Sequence, residues 1–356
     1  MLDRVAMTIP VDVTNTISDT AREAIYRADK TAMPSQSADW SSSIVGDGRF
    51  VDASRCYRFA DGISAYLPLY RSRLGPDLLS VFSSPPPAWG FGGLVSDAPL
   101  TAMHLRTVLN DLEQLSGAAV KIRPNPLHGD LWSEAAAGTR WTPVVRNAHV
   151  LDLSGGYDAV WTDRFPGKTR SKIRRAGKAG ITIVSGRNED LISDFDGLFR
   201  QSVQRWAGKQ NEFAWLAGLR AKVRDPKAKF RALAQNTGGL VTFWLAYRND
   251  QPVAGIMVLM DRNAHYTRGA MDKRLIGNTY ANHLLHASAI EAACKAGCRH
   301  YHMGETGSST SLAQFKSSFG AESRPYAEYV HERIPLLSAD RKLRAVVKKA
   351  IGFKDA

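Results

Sequence analysis

The chain has 356 residues, 44% hydrophobic and 23% charged, a globular composition long enough for two domains with separate cores. Lys and Arg number 47 against 34 Asp and Glu, a formal charge of +13 that points to polyanionic partners such as nucleic acid, anionic lipid or phosphorylated substrates. No apolar run approaches the ~18–20 residues of a spanning helix. The three cysteines, Cys56, Cys294 and Cys298, form neither a disulfide framework nor a metal-ligand pattern.

The opening "MLDRVAMTIPVDVTNTISD" lacks the basic and apolar regions of a cleaved leader, so a cytoplasmic location is expected. Residues 1–36 are polar and read as a flexible segment. A first domain is expected over 37–148. It opens with short strands in "RFVDASRCYRFADG" and "ISAYLPLYRSR", divided by a turn at Asp61-Gly62. The proline- and glycine-rich loop "SSPPPAWGFGGLVSD" excludes regular structure, and its Trp89 and Phe91 suggest a cleft wall that could touch substrate. Met103, Leu105, Val108, Leu109, Leu112 and Leu115 recur at helical spacing before Gly117, and "AAVKIRPNPL" follows as a strand.

A second domain is expected over 149–335, with a basic helix over 336–356. "TRSKIRRAGKAG" predicts a helix closed by Gly180, with the strand "ITIVSG" behind it. Leu191 to Arg205 predicts a helix. Three strands follow at Leu240–Arg248, Pro252–Met260 and His265–Met271, with a tight turn at Asn249-Asp250. A long helix over Gly277–Ala296 and the strand "CRHYHMG" complete the pattern. Cys294 and Cys298 share a helix face and are expected to be buried free thiols. The whole reads as α/β, with mixed, largely antiparallel sheets flanked by helices.

Three stretches could carry chemistry. From Arg164 to Arg187 there are eight Lys or Arg and no acid. Within it Lys168, Arg170, Lys172, Arg174, Arg175 and Lys178 surround the predicted helix, either as a solvated face or as a docking strip for a polyanion. Arg274 and Gly277 stand before the long helix, where free N–H groups can cradle phosphate. The third is "YHMGETGSSTSLAQFKSSFG": a strand ending at Gly304, a polar loop with Glu305, Ser309 and Ser311, then a turn presenting Phe315-Lys316. Glu305 is a candidate base, and the serines are candidates to line the substrate. His265, His283, His286, His300 and His302 show no triad or metal spacing, and a structural role is expected for His300 and His302.

"LDLSGGYDAVWTDRFPGKTRSKIRRAGKAGITI" resembles a signature of Fem-type aminoacyltransferases and their GNAT-superfamily relatives. "LLHASAIEAACKAGCRHYHMGETGSSTSLAQFKSSFGAESRPYAEY" resembles their second, which carries Gly-Cys-Arg, a polar loop and Phe-Lys-x-x-Phe-Gly. Arg274 and Gly277 also match the GNAT pyrophosphate loop, which here ends on Thr279. The resemblance implies two tandem GNAT-like domains and transfer of an acyl or aminoacyl group to an amine. It assigns Lys316 to charge stabilisation at the reacting carbonyl, Phe315 to the acceptor end of the site, and Tyr266 to contact with the acceptor. It implies no tightly bound cofactor and no metal. The co-substrate would be aminoacyl-tRNA docked on the basic helix, the acceptor a peptidoglycan precursor or small metabolite, with peripheral association to anionic membrane. An acyl-CoA-dependent N- or O-acyltransferase, linked to polysaccharide for instance, is the alternative. A non-catalytic module binding RNA or anionic lipid is the third reading.

Overall fold

A computed structural model describes residues 9–73, 76–350 and 352–353. In chain order the elements begin β1 (Val11–Thr14), α1 (Asp19–Ala28), α2 (Ala38–Gly46), β2 (Phe50–Asp52), β3 (Arg55–Phe59), β4 (Ser64–Leu67) and β5 (Tyr70–Ser72). They continue β6 (Val81–Ser84), β7 (Val95–Ser96), α3 (Ala102–Leu112), β8 (Ala119–Ile122), α4 (Gly129–Ala136) and β9 (Thr142–Asp152). Next come α5 (Gly156–Ala159), α6 (Gly167–Lys178), β10 (Ile181–Gly186), α7 (Glu189–Lys209), α8 (Ala214–Arg224) and α9 (Lys227–Asn236). The chain then forms β11 (Val241–Arg248), β12 (Gln251–Met260), β13 (Ala264–Met271), α10 (Lys273–Ile276), α11 (Ala281–Lys295) and β14 (His300–Glu305). The remaining elements are α12 (Thr310–Ser317), β15 (Glu322–Glu332) and α13 (Leu336–Ala350).

These divide into two compact units, residues 1–147 with 324–341, and residues 148–323 with 342–356. Residues 324–335, expected in the second domain, fall within the first unit. The reason is pairing: Tyr329–Glu332 of β15 run antiparallel to Ala119–Ile122 of β8. The basic helix expected over 336–356 forms as α13, and residues 351 and 354–356 lie outside the described residues. The expected flexible segment is also ordered from residue 9 onward, residues 1–8 lying outside the described residues. Val11–Thr14 pair with Cys56–Phe59 of β3, and α1 buries Ile25 and Tyr26, so apolar side chains among polar ones anchor the stretch.

The first unit has a four-stranded sheet, β1-β3-β4-β7, and a β15-β8-β6-β5-β2 run in which only β6 and β8 are parallel. Its core joins Leu105, Val108, Leu109 and Leu112 of α3 to Trp132 and Tyr329. This is the face that the helical spacing foretells.

In the second unit β10-β11-β12-β13-β14 form one sheet, and β14 pairs antiparallel with Ala148–Asp152 of β9. The three predicted strands fall within one residue of their observed bounds. Asn249 and Asp250, at φ +49° and +59°, form the two-residue turn that matches the twist of β11 and β12. Helix α7 begins where the Asn188 side chain accepts from Leu191 N at 3.0 Å, with Glu189 and Asp190 favouring the positive helix end. Helices α6 and α11 cover one face of this sheet, and their core includes Ile173, Ala176, Leu285, Ile290 and Phe319.

Candidate active site

Strands β13 and β14 are parallel but pair at only two positions, Ala264 with Tyr301 and His265 with His302. Beyond these the strands part, and each carries an irregularity at that point. In β13 the register slips so that Thr267 is left over and its Oγ1 donates to Met257 O at 3.1 Å. In β14 the register slips between His302 and Gly304. Bulges of this kind re-aim side chains beside a site. Gly304 has φ +73°, and a Cβ there would lie 3.3 Å from Tyr266 O, so this turn of β14 needs glycine.

Lys316 enters this wedge from α12. Ser309 starts that helix by accepting from Leu312 N at 3.4 Å, and Lys316 is its buried residue, 2% exposed. Its Nζ donates to Glu305 O at 2.7 Å and lies 6.0 Å from the Tyr266 ring centre. Burial pushes the ammonium pKa down from 10.5 to about 7, against the opposing pull of Glu305. Besides Glu305, it is met by imidazoles. Burial, then Arg268 and Lys316, lower His265 to about 3, and burial, Lys316 and His283 lower His286 to about 3. His149, opposite Gly304 on β9, is lowered by burial and by Lys316. All three rings are therefore neutral at physiological pH. The Nδ1 atoms of His149 and His286 find no hydrogen-bonding partner among the described residues. Tyr266 stands edge-on to His286 at 4.7 Å, its hydroxyl over Gly269, and burial raises it to about 12.

A chain of rings leads outward from the lysine. Phe315 meets His286 at 5.4 Å and His283 at 5.2 Å, and His283 meets Tyr280 at 5.8 Å. Tyr280 has φ +57° and supplies no capping side chain, which leaves the first-turn N–H groups of α11 without that partner. Lys172 and Arg175 of α6 lie 5.8 and 4.9 Å from the Tyr280 ring centre. Thr169 Oγ1 donates to Ser318 O at 2.5 Å and ties α6 to the end of α12.

The structure thus gathers Lys316, Phe315, Glu305, Tyr266, Lys172 and Arg175 around one wedge and its approach. Arg170 is occupied, donating to Trp161 O at 3.0 Å and Thr162 O at 2.9 Å, and Arg174 lies 5.5 Å from the Trp161 ring centre. Lys168 and Lys178 are exposed on α6, and Ser311 is exposed on α12. The Arg274 side chain is 90% exposed, and Gly277, at φ +47°, ends the single turn α10. Trp89 and Phe91 depart from expectation. At 2% and 3% exposure they are packing residues of the first unit: the Trp89 carbonyl accepts from Trp40 Nε1 at 2.9 Å, and Phe91 stands edge-on to Tyr326. An indole and a phenyl ring gain more from burial than from lining an open cleft. A cavity of about 530 Å³ in that unit is lined by Thr31, Leu105, His128 and Trp132 and holds none of the candidate site residues.

Sequence reasoning missed the ring of imidazoles. His149 went unremarked, because the strand partner that brings it opposite Gly304 is more than 100 residues away in the chain.

Residues 164–317 match the family described as Acetyltransferase (GNAT) domain. Among solved structures, that of FemX superposes with a TM-score of 0.66 at 11% identity, covering 92% of this chain and 99% of that one. A conserved protein of unknown function from Bacteroides thetaiotaomicron gives a TM-score of 0.53 at 14% identity, covering 91% and 99%. No curated protein matches the sequence. The family match spans the parting strands and Lys316, and the structural likeness extends over both units, so the chain carries a GNAT-domain match over residues 164–317 within a fold like that of FemX.

Proposed function

We propose that the protein transfers an aminoacyl group from aminoacyl-tRNA to an amine, forming an amide, with Lys316 as the group that moves the proton. The observation that carries this reading is the buried, poorly charged Lys316 joined through Phe315, His283 and Tyr280 to an acid-free basic helix. An aminoacyl ester is already activated. The enzyme must position the amine, accept its proton and stabilise the oxyanion.

Lysine with a pKa near the working pH serves both roles. Neutral Nζ takes the proton as the amine nitrogen bonds to the carbonyl carbon. The ammonium so formed donates to the oxyanion, then returns the proton to the ribose oxygen as the ester C–O bond breaks. This revises the fixed cation that the resemblance implies. A residue kept only to pin α12 onto β14 would gain nothing from an ammonium in a site this dry. Phe315 and Tyr266 would flank the acceptor, and the Glu305 carboxylate would bias Lys316 toward its charged form.

The phosphates of the donor would meet Lys172, Arg175 and the uncapped start of α11, with Lys168, Arg174 and Lys178 extending the strip. Five cations on one helix exceed what a single pyrophosphate needs, which favours tRNA. The acyl-CoA reading is favoured instead by the family description itself. Incubating the protein with charged tRNA or with acetyl-CoA, each with a panel of amines, separates the two. Amine-dependent loss of the aminoacyl ester is expected. Consumption of acetyl-CoA with indifference to tRNA would sink the tRNA reading, and no turnover of either with binding of RNA would favour a non-catalytic module.

A further inference from the structure

Large apolar side chains gather, exposed, on α8 and on residues 342–350 of α13, both in the second unit. On α8, Trp215, Leu219 and Val223 follow at intervals of four and so form one stripe, 69%, 54% and 63% exposed. Phe213, just ahead of the helix, is 61% exposed. Ala217 and Ala221 on the other face are buried, so α8 is already packed on its inner side and the stripe points outward. Lys222 lies beside the stripe.

On α13, Leu343, Val346 and Val347 occupy positions i, i+3 and i+4 and are 64%, 66% and 49% exposed. Helical geometry puts Lys342 and Lys349 along one border of this stripe and Arg344 and Lys348 along the other. Between Lys342 and Phe353 there is no Asp or Glu. Every residue from Arg341 to Lys349 is exposed. A helix of about 15 residues that buries so little of itself is marginal in water and gains from a surface to lie on. The helices approach each other where Asn211, before α8, donates to Gly352 O, just past α13, at 3.4 Å.

Charge and apolarity together decide the occupant. Nucleic acid would use the cations but offers no place for leucine and valine, since bases stack on aromatic rings. A second copy of this +13 chain would bury the stripes but set basic borders against each other. A bilayer surface takes both: the stripe sinks into the boundary between headgroups and acyl chains, and the bordering Lys and Arg reach anionic headgroups. We propose that α8 and α13 form a docking surface for an anionic lipid bilayer, on which the protein lies peripherally. Among the described residues no helix is long and apolar enough to cross one. The proposal stands whether or not tRNA is the donor.

The test is sedimentation of the full chain with vesicles of phosphatidylcholine alone or with 30% phosphatidylglycerol. Retention on the anionic vesicles at least tenfold above the neutral ones is expected, weakened by 0.5 M salt. The pair Lys348→Gln and Lys349→Gln should lower that retention about tenfold or more, at roughly one kcal/mol for each cation near the surface. Leu343→Gln with Val347→Gln should abolish it while the circular dichroism of the rest of the fold persists. Equal retention on both vesicles, or none, overturns the proposal. So does a dimer, in vesicle-free solution, that the Leu343/Val347 variant dissolves, or loss of binding to a bulk tRNA pool in that variant with vesicle retention unchanged.

Discussion

Lys316→Met should make the second unit more stable in acid and neutral solution, and that advantage should vanish as the pH rises. Native Lys316 titrates near 7 against 10.5 ordinarily. At 1.36 kcal/mol per unit this is a ceiling of about 4–5 kcal/mol. Below pH 7 both folded and unfolded chains hold the proton, so the fold bears the whole cost of the buried ammonium. Between pH 7 and 10 the folded lysine is neutral and the unfolded one still charged. The unfolded state then binds more protons, and wild-type stability gains about 1.4 kcal/mol per unit relative to the variant. Methionine also leaves Glu305 O without its 2.7 Å partner, which costs about 1–3 kcal/mol. The variant should thus be about 2–4 kcal/mol more stable at pH 6 and level with the wild type by pH 9–10, while losing turnover by about 10²–10³. Urea unfolding at each pH, followed by circular dichroism, reads the difference. A difference that stays constant from pH 6 to 9, or a variant weaker than the wild type at pH 6, would refute the buried-charge reasoning.

The neutral form of Lys316 is the proton acceptor, so kcat/KM should climb with pH to about 7 and then level, in a profile measured with a donor whose own hydrolysis is subtracted. Lys316→Arg keeps the cation but cannot lose its proton, and should lower kcat by about 10² or more; near-normal kcat would reduce the lysine to a fixed charge. Gly269→Ala places a methyl group against the Tyr266 hydroxyl, and should cost about 1–3 kcal/mol in unfolding experiments and raise KM for the amine. Asp225 is buried, which alone would raise its carboxyl, but Arg268 and Lys229 hold it well below the usual range. Asp225→Ala strands those cations and should cost about 3–5 kcal/mol at pH 7, a loss that shrinks below about pH 4, where the unfolded wild-type chain binds a proton at Asp225 that the folded carboxyl does not; urea midpoints at both pH values check it.

What could be read in the sequence was what neighbouring residues determine. The β11–β13 meander announces itself through apolar strands and the Asn249-Asp250 turn, and α3 through its leucine spacing. Lys316 stood out because a strand-end glycine and a polar loop precede it. Burial of Lys316 was not legible, since it depends on Tyr266 and His286 arriving from β13 and α11. Trp89 and Phe91 misled for the same reason: a loop rich in proline and glycine looks exposed until its partners Trp40 and Tyr326 are known. Residues 9–36 look unstructured by composition and are ordered by the strand they meet, β3, rather than by their own propensity.

Residues 324–341 complete the first unit although residues 148–323 of the second unit precede them in the chain. Tyr329 stacks near Trp132 at 5.9 Å, and Glu328 takes Arg123 at 2.8 Å and Arg146 at 3.2 Å. On the ribosome, β15 is made about 200 residues after β8, which at ~5–20 residues per second is about 10–40 s. Throughout that interval the β8 edge is an unpaired template, with Lys121 and Arg123 beside it as charges that discourage pairing with a foreign strand. The unit whose synthesis begins first therefore waits for a strand made after most of the second unit.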